Sequence, residues 1–524
     1  MTENRSEAPN NKSRMPDTST RAILKTAAPI LFGLLLEQLI GMTDAIFLGR
    51  VGEIELGAAA IGSVVFLFFI SQGLGYSIGA QSLMARANGR LDREAFGLVF
   101  RQAGIFMTGL GVLIALVLVL GADLMMGFIA KSPQVAHAAA DYVFWRGIGM
   151  PFAFAAVLLR AFFIAILQTR ILTWSSAVMV ATNCILNGIL IFGVGPVPAL
   201  GIAGAAIASA LSELACVLFL GAKIVRSGYL KKYRLLGTMR PAPAVQRRLF
   251  SLGRWLMLQE AVSFGVWIYF FGAVEHVSER ALAISNVVRQ LGSIVFLFVH
   301  AFGTTCGSIA ANLYGRGRTD LINGLAKRGL ALSFAAMTPV LLIFAVFPEW
   351  VLGWFTNIEA VVEASVPAFY VMLASYFVST PPFFYFFMIG ALGYARPSFV
   401  TCIVSSVIYA GYVGFITAVT TNVAVIWTSD TVYGMCLGIG TWFIWRHTEW
   451  SGSAPRRNEC DGLSRRRPCM TKLCTGARHQ RKRSAACEVP LHRRVPLVNA
   501  VPREHERCVD GRPAELFAKF RDAP

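Results

Sequence analysis

The sequence predicts an all-α integral membrane protein with twelve transmembrane helices in two pseudo-symmetric six-helix lobes. Three observations carry that prediction: recurrent long apolar stretches, a consistent Lys/Arg asymmetry between alternate connections, and an internal repeat. Hydrophobic residues make up 55% of the 524 and charged residues only 15%, against about 25% charged in soluble domains. Mean hydropathy is +0.58. Most apolar stretches are apolar on every face and long enough to cross a hydrocarbon core of about 30 Å, which excludes a soluble fold.

The predicted spans are 22–48, 56–82, 98–122, 142–168, 171–193, 200–222, 249–274, 281–311, 329–348, 365–394, 398–419 and 423–446, the last interrupted by Ser429 and Asp430. Residues 1–21 are polar and mixed in charge and read as a disordered cytosolic segment with no cleavable signal before the first span. One set of connections carries the basic residues: Arg86, Arg90 and Arg93; Arg170; a dense group from Lys223 to Arg248; Arg316, Arg318, Lys327 and Arg328; and Arg396. The alternate set holds little beyond Arg50, Lys131 and Arg280 beside several Glu residues. Positive charge stays on the cytosolic side. Both termini are therefore expected in the cytosol of a cell that carries the chain in its cytoplasmic membrane. The net charge of +19 follows from these loops and the tail, and is not read as a nucleic-acid signal.

The basic linker 223–248 separates a lobe at 22–222 from a lobe at 249–446. Gly75, Gly79 and Gly89, followed by Arg90 and Asp92, recur with identical spacing as Gly303, Gly307 and Gly317, followed by Arg318 and Asp320, at an offset of 228 residues. An even number of helices per copy gives the copies one orientation, a parallel repeat about an axis along the membrane normal, with a cavity between. The glycines are expected to serve close helix packing. Cys184, Cys216, Cys306, Cys402 and Cys436 fall within spans and read as small packing residues. After the last span, residues 447–524 form a basic, disordered tail. Its stretch from 451 carries seventeen Lys/Arg against eight Asp/Glu, its Cys and His lack zinc spacing, and an out-of-frame extension would also account for its composition.

No enzyme motif is present, and without a Gly-Lys-Ser/Thr phosphate loop the energy must come from an ion gradient. Ionisable residues inside spans are costly and mark the site. Glu37 and Asp44 lie seven residues apart on one face of span 1, and Asn183 and Asn187 share a face of span 5. By residue count the depths of Glu37 and Asp44 overlap those of the two Asn, a carboxylate facing carboxamides that suits sodium or a proton; alternatively the two Asn tie helices together. In the second half Glu260 and Arg289 both lie near mid-membrane, either paired or with Glu260 free to bind cation or substrate. Glu213 and His300 are further candidates at helix contacts or the cavity.

The run Gly41-Met-Thr-Asp44-Ala-Ile-Phe-Leu-Gly49-Arg50-Val-Gly52 resembles the first-helix motif of the multidrug and toxic compound extrusion (MATE) transporters. Asn183-x3-Asn187-x4-Phe192-Gly193, followed by Leu200-Gly201-x2-Gly204-Ala205-Ala206, is similar to that family's helix 5 to helix 6 segment, and Gln259-Glu260 to its acidic helix 7 position. The resemblance implies cation-coupled export of amphipathic, often cationic, organic compounds. It implies an amino-lobe site at Asp44, Asn183 and Asn187, with Glu260 in the other lobe. Two departures stand out: span 10 lacks the acid that some members pair with the helix 7 Glu, and the second Asn is an Asp in some relatives, a loss for which Glu37 would compensate. No cofactor or metal is expected beyond the coupling ion, a proton or sodium. A monomer in the lipid bilayer acting on small organic substrates is expected. A lipid-linked saccharide flippase is the alternative within the superfamily, and a passive channel or receptor the alternative outside it.

Overall fold

The computed structural model describes residues 17–130, 132–237, 240–355 and 359–448. The first sixteen residues and the chain from 449 onward, which hold most of the two segments expected to be disordered, lie outside the described residues. Among the described residues, twelve helices are long and apolar enough to cross a membrane. They are α1 Thr20–Leu48, α2 Glu53–Gly89, α3 Arg93–Ile129, α4 Pro133–Ala165, α5 Arg170–Phe192, α6 Gly201–Arg226, α7 Pro243–Val277, α8 Glu279–Gly315, α9 Ile322–Val346, α10 Glu359–Ala391, α11 Ala395–Val419 and α12 Thr428–His447.

Several helices run past their apolar windows. The span expected over 56–82 extends from Glu53 to Gly89, because its basic-side end packs on protein instead of meeting lipid. Asp92 of the Gly-Arg-x-Asp motif starts α3 by accepting the Ala95 amide at 2.9 Å. Its counterpart Asp320 takes a forked contact from Arg318 at 2.9 and 2.8 Å, ahead of α9. The last span is broken, but not where the sequence suggested: a short helix, Val423–Ile426, precedes α12, the break falls at Trp427, and Ser429 and Asp430, expected to interrupt the span, lie within the first turn of α12.

Each half packs in the same way. α1 lies on α5, α2 on α3 and α4, α4 on α6, and α5 on α6; in the second half α7 lies on α11, α8 on α9 and α10, α10 on α12, and α11 on α12. The halves meet where α2 crosses α7 and α8, and where α1 meets α8. There the repeated glycines diverge. A Cβ on Gly75 would stand 2.7 Å from the Leu256 carbonyl, and Gly79 lies against Gly253, so these two let α2 and α7 touch across the halves. Gly303 and Gly307 instead receive Phe387 and Ala391 of α10 within one half. Close packing is therefore common to both copies, but its partners are not.

Polar contacts close the same junction at its basic-loop end. Asn88 bonds Asn312 at 2.7 Å, Arg316 donates to the Gly89 carbonyl at 3.1 Å, and Asn312 donates to the Ala165 carbonyl at 3.0 Å. Arg86 reaches the Leu392 carbonyl and stacks on Tyr314. Ser308 donates to the Ile164 carbonyl at 2.9 Å. Above this seal the halves separate around a cavity.

Candidate functional site

α1 and α5 are fastened near their basic-side ends, where Thr169 and Thr173 each donate at 2.8 Å to carbonyls of Thr26 and Pro29. That alignment carries Asn183 and Asn187, both fully buried and one helical turn apart, to the level of Asp44 on α1. The Asn187 amide donates to Asp44 Oδ1 at 2.6 Å and the Asn183 amide to the same oxygen at 3.2 Å. From α6, Ser209 donates to Asp44 Oδ2 at 3.1 Å. Hydrogen bonds to a charged acceptor contribute about 1.5–3 kcal/mol each, so three helices converge on one carboxylate. One buried atom is left over: Asn187 Oδ1 has no hydrogen-bond partner.

Glu37 does not join this cluster. Seven residues are two turns, so it shares a face with Asp44 but lies about 10 Å along the axis. At that level it pairs with Arg160 of α4 and accepts from Ser176 at 2.7 Å. The role expected for it, standing in for a second carboxylate beside the Asn pair, is not supported by this geometry. Glu213 of α6 is a helix-contact residue, paired at 3.0 Å with Arg146 of α4. Arg146 also lies over the Phe66 ring, 3.5 Å from its centre. The polar interior of the amino half thus contains the carboxylates Glu37, Asp44 and Glu213 and the guanidiniums Arg146 and Arg160. Arg160 belongs to Glu37 and Arg146 to Glu213, leaving Asp44 as the carboxylate of this set without an ion-pair partner among the described residues.

Between the halves lies a cavity of about 670 Å³. Its amino-half wall includes Gly33, Glu37, Gln81 and Arg160; its carboxy-half wall carries Glu260, His300 and Asp430 among Trp267, Phe296, Phe383, Phe387, Tyr409 and Tyr433. Among the described residues Glu260 has no ion-pair or hydrogen-bond partner. Arg289, one of the two partners considered for it, stacks instead on Trp267 and Phe271, 5.0 and 5.2 Å from the ring centres. Asp44, Asn183 and Asn187 do not line this cavity. Asp430, which in sequence only interrupted a span, is a cavity carboxylate with the Tyr409 hydroxyl in interaction range. Its signal was available: span 10 lacks an acid, while the adjacent-packing span 12 has one. Arg146 was also missed, although an arginine about 20 Å into a helix is as costly there as any carboxylate.

Twelve membrane-crossing helices in two like-folded halves around a shared cavity, with half-buried carboxylates set along the spans, define a multi-pass membrane transporter. The MatE family model matches the chain twice, over residues 29–189 and 257–416, and the two matches begin at the same 228-residue offset as the glycine repeat. The chain belongs to the MatE family, whose members are transporters and not enzymes. It is 24% identical over 355 residues to the probable multidrug resistance protein NorM of Agrobacterium fabrum, covering 67% of this chain and 75% of that one. It is 25% identical over 321 residues to the multidrug resistance protein MdtK of Edwardsiella ictaluri, covering 61% of this chain and 70% of that one. Among solved structures, an outward-facing multidrug resistance MATE family transporter superposes with a TM-score of 0.77 at 17% identity, over 83% of this chain and 97% of that one. A MOP superfamily transporter from Pyrococcus furiosus gives 0.75 at 17% identity, with the same coverage. The resemblance read from the Asp44 and Asn183–Asn187 motifs is borne out at the level of family and fold.

Proposed function

We propose that the protein is a multidrug efflux antiporter of the cytoplasmic membrane, with both termini in the cytosol, exchanging protons at Asp44 for organic compounds held in the cavity between the halves. The observation that carries the proposal is the charge arrangement of the amino half. Glu37 and Glu213 each have an arginine, and Asp44 has none. A half-buried carboxylate with hydrogen bonds but no direct ion-pair partner among the described residues is a site for a cation.

A proton fits the surroundings. Ionised Asp44 is an acceptor for Asn183, Asn187 and Ser209. Protonated, it becomes a donor, and Asn187 Oδ1 is an acceptor already free to receive it. Taking the proton weakens the pull that holds α1 to α5 and α6. Because α1 also supplies Ile30, Gly33, Leu34 and Glu37 to the cavity wall, a shift of α1 alters the substrate chamber. That gives proton and substrate a differential hold on two states of one element, which coupling requires.

The cavity favours organic cations over anions. Its carboxy-half wall combines Glu260 and Asp430 with aromatic rings, and the one arginine in its lining, Arg160, is already paired with Glu37. A flippase of lipid-linked saccharides would need a cluster of free basic groups for pyrophosphate, whereas among the described residues the basic side chains of this lining are His300 and the paired Arg160. Proteoliposomes given a proton gradient or a sodium gradient, one at a time, test the proposal. Efflux of an aromatic cation such as ethidium is expected with the proton gradient alone; efflux driven only by sodium would replace the proton with sodium, and efflux with neither gradient would refute antiport.

A further inference from the structure

The Arg146–Glu213 pair is deeply placed, with side chains 8% and 13% exposed, yet it is joined at one point only, Nη2 to Oε1 at 3.0 Å. An arginine and a carboxylate in such a place ordinarily form a two-pronged fork. Here Arg146 Nε and Nη1 and Glu213 Oε2 are buried without any hydrogen-bond partner. Each orphaned buried group costs about 1–3 kcal/mol, so the pair is held less fully than a fork would hold it.

The placement of the pair explains what it faces. Glu213 stands four residues after Ser209 on α6, hence on the same face and about 6 Å along it. Ser209 is the residue that grips Asp44 Oδ2. Arg146, on α4, is therefore tethered about one turn of α6 beyond the serine that grips the carboxylate, near enough for its charge to reach Asp44 as well as Glu213. Close packing allows this: a Cβ on Gly149 would collide with Ala210 and come within 3.6 Å of Glu213 Oε2, so α4 and α6 touch beside the pair. The other groups facing Asp44 are neutral, namely Asn183 and Asn187 from α5 and Tyr142, one turn before Arg146 on α4. Tyr142 bonds Ser63 at 3.1 Å. The second guanidinium, Arg160, is held by Glu37 two turns of α1 away.

We propose that Arg146 and Glu213 are positioning residues that set how tightly Asp44 holds its cation, Arg146 as a standing counter-charge that promotes release and Glu213 as the group that restrains it. The inference rests on Asp44 being the coupling site. It has a signature that a packing role lacks: the two partners act in opposite directions. Arg146→Gln removes the counter-charge, so Asp44 loads at a lower external proton concentration and unloads slowly. Glu213→Gln leaves Arg146 unrestrained beside Asp44, so a higher proton concentration is needed. A unit charge about 10 Å away at an effective dielectric near 20 corresponds to a change on the order of tenfold.

The experiment measures ethidium efflux from proteoliposomes containing the full chain, as a function of external proton concentration, normalised to folded protein. Arg146→Gln is expected to lower the half-maximal proton concentration about tenfold with a reduced maximal rate, and Glu213→Gln to raise it about tenfold. The double variant Arg146→Gln/Glu213→Gln, which buries no unpaired charge and keeps the test open if a single variant fails to fold, is expected within about threefold of the wild type. Both partners shifting the half-maximal point the same way, or a double variant displaced as far as either single one, would overturn the inference. A wild type whose efflux is unaffected by Asp44→Asn would instead overturn the coupling site itself.

Discussion

Replacing Gly75 by alanine should shift the transporter toward the state that opens at its basic-loop end. The added Cβ would lie 2.7 Å from the Leu256 carbonyl oxygen and 2.8 Å from both the Leu256 carbonyl carbon and the Met257 nitrogen. Ordinary contacts begin near 3.5 Å, and all three obstructing atoms are backbone, which cannot rotate aside. α2 and α7 must therefore move apart by roughly 0.7 Å, and overpacking of this kind costs about 1–3 kcal/mol. The cost falls only on the state in which the halves touch there, so the population ratio moves about 5- to 150-fold. Thr304, on the cavity wall, supplies the reporter. In a cysteine-depleted background, Thr304→Cys is labelled by an impermeant maleimide applied to inverted vesicles. Gly75→Ala should speed labelling at least fivefold, whereas Gly41→Ala, whose Cβ would meet nothing within 4 Å, should leave it unchanged. Equal labelling of the two variants and the parent would refute the reasoning that this junction is the closed gate.

Two further outcomes follow from the charges. Arg160→Met leaves Glu37 without its partner and should lower stability by about 3 kcal/mol, the lower end for a broken buried pair, because the partners remain 19% and 27% exposed; Arg160→Met/Glu37→Leu should recover most of that in a melting experiment, and equal losses would show the pair to be inert. Glu260→Gln and Asp430→Asn should each weaken ethidium binding roughly tenfold, as expected for loss of one charge from an aromatic site of low polarity, while a neutral aromatic compound binds within about threefold; equal weakening of both ligands would mean that the carboxylates shape the cavity and do not recognise charge.

The gross architecture was legible because a bilayer imposes length and apolarity on each helix separately, and because the spacing from Gly75 to Asp92 recurs at Gly303 to Asp320. That an acid of span 1 meets Asn183 and Asn187 was legible from depth along the helices, but residue count set Glu37 at least as close to the Asn pair as Asp44, and it was the motif resemblance that pointed to Asp44. Partnership between helices was not legible. Glu37 and Asp44 share a face of α1, but neither face nor depth names a partner, and what stands opposite Glu37 is Arg160, 123 residues away. Arg146 and Glu213 are 67 residues apart on helices whose crossing is set by Gly149 against Ala210. Asp430 lowered the apolarity of its own span, and averaging over a window concealed that its side chain faces a cavity. Arg289 had an equal claim on Glu260 by depth alone; the rings of Trp267 and Phe271 took it instead.

The claim on which the rest depends is that Asp44, the interior carboxylate of the amino half with no ion-pair partner among the described residues, carries the coupling charge. Its substitution by Asn keeps the size of the side chain and removes only the charge. Because Asp44 does not line the substrate cavity, ethidium binding by purified Asp44→Asn should stay within about threefold of the wild type. The most direct measurement is proton-gradient-driven ethidium efflux by Asp44→Asn in proteoliposomes, at matched amounts of folded protein. Efflux at the level of protein-free liposomes, with binding retained, is the predicted result; efflux at the wild-type rate would contradict the account.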